Sequence, residues 1–179
     1  EGVTVGLNAG DRVGVVGRNG DGKTSLIRLL LGALEPDGGT VTRRGGLHVG
    51  LLDQADTLDP EATVAFSVVG DTPEHVWAGD PKVRSVISGL LSEVPWDATV
   101  GELSGGQRRR VALAALLAGD WDVIGLDEPT NHLDIEGVNW LAEHLRTRWA
   151  ANQGALLVVT HDRWFLDAVT TSTWEVHDG

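Results

Sequence analysis

Residues 12–25 read Arg12-Val13-Gly14-Val15-Val16-Gly17-Arg18-Asn19-Gly20-Asp21-Gly22-Lys23-Thr24-Ser25, and their reading decides the fold. Arg12 to Val16 is a short β-branched apolar run, the pattern of a buried strand. Gly17 to Gly22 is a glycine loop. From Lys23 the apolar residues Leu26, Ile27, Leu30 and Leu31 recur at helical spacing until Gly32 can cap the end. Gly17–Thr24 fits the pattern G-x-x-x-x-G-K-[ST] in full. The chemistry behind that pattern is specific: glycines let successive backbone N–H groups turn inward around phosphate oxygens, and the following helix offers its positive N-terminus to the same anion. Lys23 is then placed to reach the β- and γ-phosphates, and the Thr24 hydroxyl to ligate Mg²⁺. A glycine-rich turn that binds nothing is the bland alternative; the position of the match, after a buried strand and opening a helix, argues against it. Asp21 fits poorly, because a carboxylate in an anion nest repels phosphate, so its side chain is expected to point out to solvent.

Working outward, Val3–Leu7 alternates weakly and predicts an earlier strand, and Thr40–Thr42 and Leu47–Leu52 predict two more. From Asp53 to about Val100 the pattern is irregular, broken by Pro60, Pro73, Pro81 and Pro95, with a helix expected over Lys82–Glu93. A small, mostly helical subdomain is expected there. After Ser104-Gly105-Gly106 an Ala- and Leu-rich helix runs to about Ala118, Val123–Leu126 is the next buried strand, and Ile135 to about Ala150 is helical with Val138, Leu141 and Leu145 on one face. Ala155–Val159 and Thr173–Val176 complete the strands. Continuous apolar strands alternating with helices indicate an α/β fold with a mainly parallel central sheet covered on both faces.

Composition bounds the function classes. The chain has 179 residues, the size of one domain. A net charge of −12 opposes non-specific binding to a polyanion, because phosphate contacts supply that affinity. Cysteine is absent, which removes disulfides, thiolate metal sites and cysteine nucleophiles together. No apolar run approaches the ~20 residues that span a bilayer. A cytoplasmic location is expected. Glycine, at 24 residues, is nearly twice its usual share. The chain opens at Glu1, holds no methionine and ends on the turn-like His177-Asp178-Gly179, so it reads as cut from something longer.

Two further motifs carry chemistry. Trp121–Glu128 ends an apolar strand on adjacent acids, Asp127 and Glu128, before Pro129. In a doubly wound sheet ligands sit beyond the carboxyl ends of the strands, so these acids arrive beside the phosphate loop. Asp127 suits Mg²⁺ binding and Glu128 suits polarising an attacking water. An acid pair that merely caps the next helix is the alternative for any single Asp-Glu. Leu103-Ser104-Gly105-Gly106-Gln107, with Ser104 as a plausible helix cap, means little by composition alone.

Together the three motifs resemble the nucleotide-binding domain of the ABC ATPases, a P-loop NTPase family whose signature is LSGGQ. The resemblance implies ATP and Mg²⁺ as ligands. It assigns Gly17, Arg18, Asn19, Gly20, Asp21, Gly22, Lys23, Thr24 and Ser25 to the nucleotide phosphates, and Thr24, Gln54 and Asp127 to the metal. Glu128, His161, Gln54 and Lys23 become the catalytic set: Gln54 matches the Q-loop glutamine, and His161, directly after Val158-Val159-Thr160, matches the switch histidine that touches the γ-phosphate. Ser104, Gly105, Gly106 and Gln107 of the signature, with the D-loop aspartate Asp134, complete the site of a partner domain, so two domains sandwich two nucleotides. Taken alone, a strand-end glutamine is usually solvated and a lone histidine structural; their register with the other elements singles them out. On this resemblance residues 1–179 form one ABC-type domain cut at both ends, with 1–53 and 119–179 as ATPase core and 54–118 as helical signature subdomain.

Thr130-Asn131-His132-Leu133-Asp134 and His161-Asp162-Arg163-Trp164-Phe165-Leu166-Asp167 resemble the ABC-F branch, soluble tandem-domain ATPases that act on ribosomes. Within it the chain looks most like the first domain of a Uup-like or translation-factor-like member. Only fifty positions separate Gln54 from Ser104, which leaves little room for a large inserted arm. The implied partners are a second nucleotide-binding domain, in the same polypeptide or as a homodimer, and the ribosome, through rRNA or tRNA contacts outside this chain. A transporter's ATPase subunit, coupled to a membrane permease, is the alternative. Two departures stand out. The family's adenine-stacking aromatic has no counterpart before Phe66, and Ala115 stands where many members carry Arg. The run Arg108-Arg109-Arg110 is read as a solvated helix face rather than an RNA contact, and the seven tryptophans as core or edge packing.

Overall fold

The computed structural model describes residues 3–54 and 57–177. In chain order its elements are β1 (Arg12–Gly17), α1 (Lys23–Leu31), β2 (Val49–Leu52), α2 (Val64–Val69), α3 (Glu74–Trp77), α4 (Pro81–Leu90), α5 (Gly105–Ala118), β3 (Val123–Asp127), α6 (Ile135–Thr147), β4 (Ala155–Val159), α7 (Arg163–Val169) and β5 (Ser172–Val176). They divide into two compact units. The first comprises residues 1–53, 121–129 and 142–179, the second residues 54–120 and 130–141.

The first unit is a five-stranded sheet in the order β2-β3-β4-β1-β5, with every pairing parallel. Of the three inner strands, β3 and β4 are buried along nearly their whole length, as an apolar run without alternation requires, whereas the edge strand β5 is largely exposed. Val13, Val15, Ile27, Leu157 and Val159 form the buried core beneath α1. Gly125 explains how closely that helix can lie: a Cβ there would run into the Leu31 side chain and come within 3.2 Å of Leu51. Gly32, at φ 85, ends α1 as a left-handed cap that returns its N–H to Arg28 and Leu29 carbonyls. At the other end of β1, the Arg12 guanidinium lies 4.8 Å over the Trp149 ring and donates to the Gly154 and Gln153 carbonyls. Burial pulls its pKa below the ordinary value, with Asp11 opposing.

The second unit packs α2 and α4 against α5. Its local stops are chemical. Thr63 caps α2 by accepting from Phe66 N–H, Asp80 caps α4 ahead of Pro81, and Ser104 and Gln107 close a reciprocal capping box on α5. Val64, Val83, Val86, Leu90, Val111, Leu113 and Leu117 are its buried core.

Two expected strands do not form. Val3–Leu7 and Thr40–Thr42 have no ladder partner among the described residues and are mostly exposed. A short alternating segment gains little from extension unless a neighbouring strand takes up its backbone groups. The strand expected from Leu47 starts at Val49, and the helices expected to reach Glu93 and Ala150 end at Leu90 and Thr147. Of the terminal turn, Asp178 and Gly179 lie outside the described residues.

Candidate active site

The sheet order places the carboxyl ends of β3, β4 and β1 side by side, and each is followed by a residue that the sequence singles out. β1 runs into the Gly17–Gly22 loop, β3 ends on Asp127-Glu128, and β4 leads through Thr160 to His161.

The loop is shaped by its glycines. Gly17, Gly20 and Gly22 have φ of 154, 91 and 90, all in the region that side chains avoid, and Gly22 is the residue from which α1 starts. Asp21 does not point out to solvent as expected. Its Oδ2 accepts from Arg18 N–H at 2.7 Å while its own N–H donates to the Arg18 carbonyl, so the carboxylate locks the loop from within. A short acid three residues beyond a free N–H closes a local turn more readily than it stands in water. Lys23 is buried, with 8% of its surface exposed. Its Nζ donates to the Gly17 and Arg18 carbonyls at 2.9 and 2.6 Å, which holds the ammonium at the centre of the loop.

Gly17 makes a testable case. A Cβ there would strike the carbonyl oxygen of Val176, its register partner on β5. Gly17→Ala is therefore expected to lower stability by about 1–3 kcal/mol, read as a shifted denaturation midpoint.

The acids divide by burial. Asp127 is 1% exposed and accepts the Thr24 hydroxyl at 2.5 Å. This hydroxyl–carboxylate pair supplies two hard oxygens, a donor set that suits Mg²⁺, which is usually held by one or two protein oxygens together with phosphates. Among the described residues no group of three or more His, Cys, Asp or Glu is gathered so as to hold a metal ion. Glu128 has φ 49, an uncommon conformation for a residue with a side chain, and its N–H bonds the Val159 carbonyl at 2.7 Å. Its Oε1 lies 3.3 Å from His161 Nε2, and the same nitrogen lies 3.1 Å from Asn19 Oδ1. A loop residue, a strand-end acid and a strand-end histidine thus converge on one nitrogen. The sequence marks Asn19 as one loop position among several, and nothing local to it announces the contact with His161.

Gln54, Ser104, Gly105, Gly106, Gln107 and Asp134 belong to the second unit. There Gly106 lies against the His132 side chain, whose Cβ and nearest ring atoms would be 3.4–3.5 Å from an added Cβ, and Arg110 Nε donates to the His132 carbonyl. Asp134 Oδ1 accepts from Gly137 N–H at 2.8 Å and so caps the start of α6. The segment carrying Asn131 to Asp134 therefore packs beside the signature helix α5. Arg108, Arg109 and Arg110 are half-buried rather than a fully solvated face. Trp164 is 55% exposed, the outlier among tryptophans that are otherwise half-buried.

Comparison with known proteins agrees with this geometry. The sequence matches the ABC transporter family over residues 1–131. It is 36% identical to the energy-dependent translational throttle protein EttA of Mycobacterium tuberculosis over an alignment of 214 residues, which covers 99% of this chain and 38% of that protein. Because the alignment is longer than this chain, EttA carries inserted residues that the chain lacks. The ATP-binding protein Uup of Caulobacter vibrioides is 40% identical over 168 residues, covering 92% of this chain and 27% of that protein. A chain in the crystal structure of the archaeal ribosomal stalk protein aP1 with the archaeal ribosome recycling factor aABCE1 superposes with a TM-score of 0.82 at 31% identity, covering 94% of this chain and 32% of that one. The chain thus spans well under half the length of the relatives it matches. The family match spans the phosphate loop and the strand that ends on Asp127, and the chain belongs to the ABC transporter family of nucleotide-binding domains.

Proposed function

We propose that the chain is the ATPase domain of an ABC-F-type protein that binds and hydrolyses ATP with Mg²⁺ and serves translation. The observation that carries the reading is the convergence of Lys23, the Thr24–Asp127 pair and the Glu128–His161 contact at the ends of three adjacent parallel strands. The family and the translation-related names of the relatives support the rest.

In this reading the loop N–H groups of Arg18 to Ser25 and the Lys23 ammonium hold the β- and γ-phosphates. Thr24 and Asp127, with Gln54, would hold Mg²⁺, which when bound would neutralise charge on the phosphate oxygens. Glu128 accepts a hydrogen bond from the attacking water and lines it up opposite the leaving oxygen. A bond forms from water oxygen to the γ-phosphorus, the bond to the β–γ bridging oxygen breaks, and the products are ADP and phosphate. His161, whose Nε2 lies 3.3 Å from Glu128 Oε1, donates to the γ-phosphate. Such catalysis is mostly positioning and electrostatics, which rigid strand ends provide.

Ser104, Gly105, Gly106, Gln107 and Asp134 act on a nucleotide held by a partner domain, either in the same polypeptide or in a second copy. Residues 1–53 and 119–179 serve as the ATPase core and 54–118 as the signature subdomain. The chain alone is accordingly expected to turn over ATP weakly, and robust turnover by a verified monomer in sedimentation analysis contradicts the two-domain requirement.

The cellular reading places the whole protein in the cytoplasm on ribosomes, with rRNA or tRNA contacts made by regions outside this chain. No helix among the described residues is long and apolar enough to cross a membrane. Fractionation of cells expressing the full-length protein tests it: co-sedimentation with ribosomes, increased when hydrolysis is blocked, is expected. Recovery in the membrane fraction with a permease instead supports a transporter subunit.

A further inference from the structure

Helix α1 holds two strand ends. Thr24 and Arg28 are four residues apart and so share one face of the helix. Thr24 bonds Asp127, the last residue of β3. Arg28 bonds Asp53, the residue after β2, with Nε at 3.0 Å and Nη2 at 2.8 Å from the same carboxylate oxygen. β2 and β3 are parallel neighbours whose last register pair is Leu52 with Leu126, so Asp53 and Asp127 are the next residues on each strand. The Arg28–Asp53 contact therefore repeats, one strand over and one helical turn on, the contact assigned above to the metal. Asp53 is also the residue at which the chain leaves the first unit, since Gln54 belongs to the second. The pair is half-sheltered, with the Asp53 side chain 15% exposed and that of Arg28 36%, which sets it apart from a fully solvated surface pair.

We propose that Arg28 is a positioning residue for the phosphate site: it pins the carboxyl end of β2 to the helix that carries Lys23 and Thr24, and so fixes the point from which the segment bearing Gln54 departs. The inference rests on the ATPase reading only in its kinetic consequence.

Two measurements test it. In the nucleotide-free protein, Arg28→Ala is expected to speed amide hydrogen exchange over residues 50–54 about tenfold, with β1 and β4 unchanged, and Arg28→Lys to restore most of the protection. In the full-length protein Arg28→Ala is expected to lower kcat about tenfold and raise the Mg²⁺ concentration for half-maximal rate, with KM for ATP nearly unchanged. Asp53→Asn, which keeps the shape and removes the charge, is expected to match it, and the double variant to be no worse than either single one. Unchanged exchange over 50–54, acceleration spread equally over β1 and β4, or losses that multiply in the double variant would overturn the proposal. A wild-type protein that hydrolyses no ATP sinks the ATPase reading instead, and leaves the exchange measurement to decide the role of Arg28.

Discussion

Glu128→Gln in the full-length protein is expected to slow ATP hydrolysis about 10²- to 10⁴-fold, the range associated with a positioned acid–base group, while ATP binding is retained. The substitution is nearly isosteric. The backbone at φ 49, the Glu128 N–H bond to Val159 and the side chain's approach to His161 can all persist. What is lost is the carboxylate charge, and with it the ability to polarise water. Lys23 is held by the Gly17 and Arg18 carbonyls and Thr24 by Asp127, bonds that do not use the Glu128 side chain, so the elements assigned to the phosphates and the metal are expected to remain intact. Single-turnover phosphate release alongside equilibrium nucleotide binding separates the two effects. Near wild-type turnover would remove Glu128 from the catalytic role. If the two-domain reading holds, the variant should also accumulate in a nucleotide-bound, closed form, and ribosome co-sedimentation should rise with it.

Legibility in the sequence followed the range of the forces involved. The loop from Gly17 to Thr24, the stop at Gly32 and the Ser104–Gln107 capping box are written within a few residues, and each forms where its local chemistry predicts. The strands Ala155–Val159 and Val123–Asp127 are apolar without alternation, and both lie inside the sheet. Val3–Leu7 shows the limit: alternation specifies a strand only where another strand lies beside it. Asp21 departs from expectation for a different reason: repulsion from a phosphate predicts a solvent-facing carboxylate, but the N–H of Arg18 three positions back is the nearer partner. The Arg28–Asp53 pair and the meeting of Asn19 with His161 join residues 25 and 142 positions apart, and no local pattern announces them. They follow from the strand order, which the sequence pattern left open.

Lys23→Ala is expected to abolish useful ATP binding rather than its hydrolysis. Lys23 is the buried cation of the loop, and its Nζ sits within hydrogen-bond distance of two carbonyls that also face the loop's interior. Exchanging those carbonyls for phosphate oxygens replaces neutral acceptors with charged ones, and hydrogen bonds to charged groups contribute about 1.5–3 kcal/mol each. Loss of two puts the deficit at about 3 kcal/mol or more, roughly a hundredfold in Kd. Lys23→Arg is expected to fail as well, because a planar guanidinium cannot take the place of a compact ammonium enclosed by one loop. Calorimetric titration with Mg-ATP gives the affinity, and circular dichroism shows whether the sheet survives the loss of the Gly17 and Arg18 carbonyl contacts. An unchanged Kd in a folded Lys23→Ala protein would take the phosphates away from this loop. Combined with Glu128→Gln the outcome is ordered: the double variant should resemble Lys23→Ala, with no accumulated nucleotide-bound form, because a nucleotide that is not held by Lys23 never reaches the step that Glu128 governs.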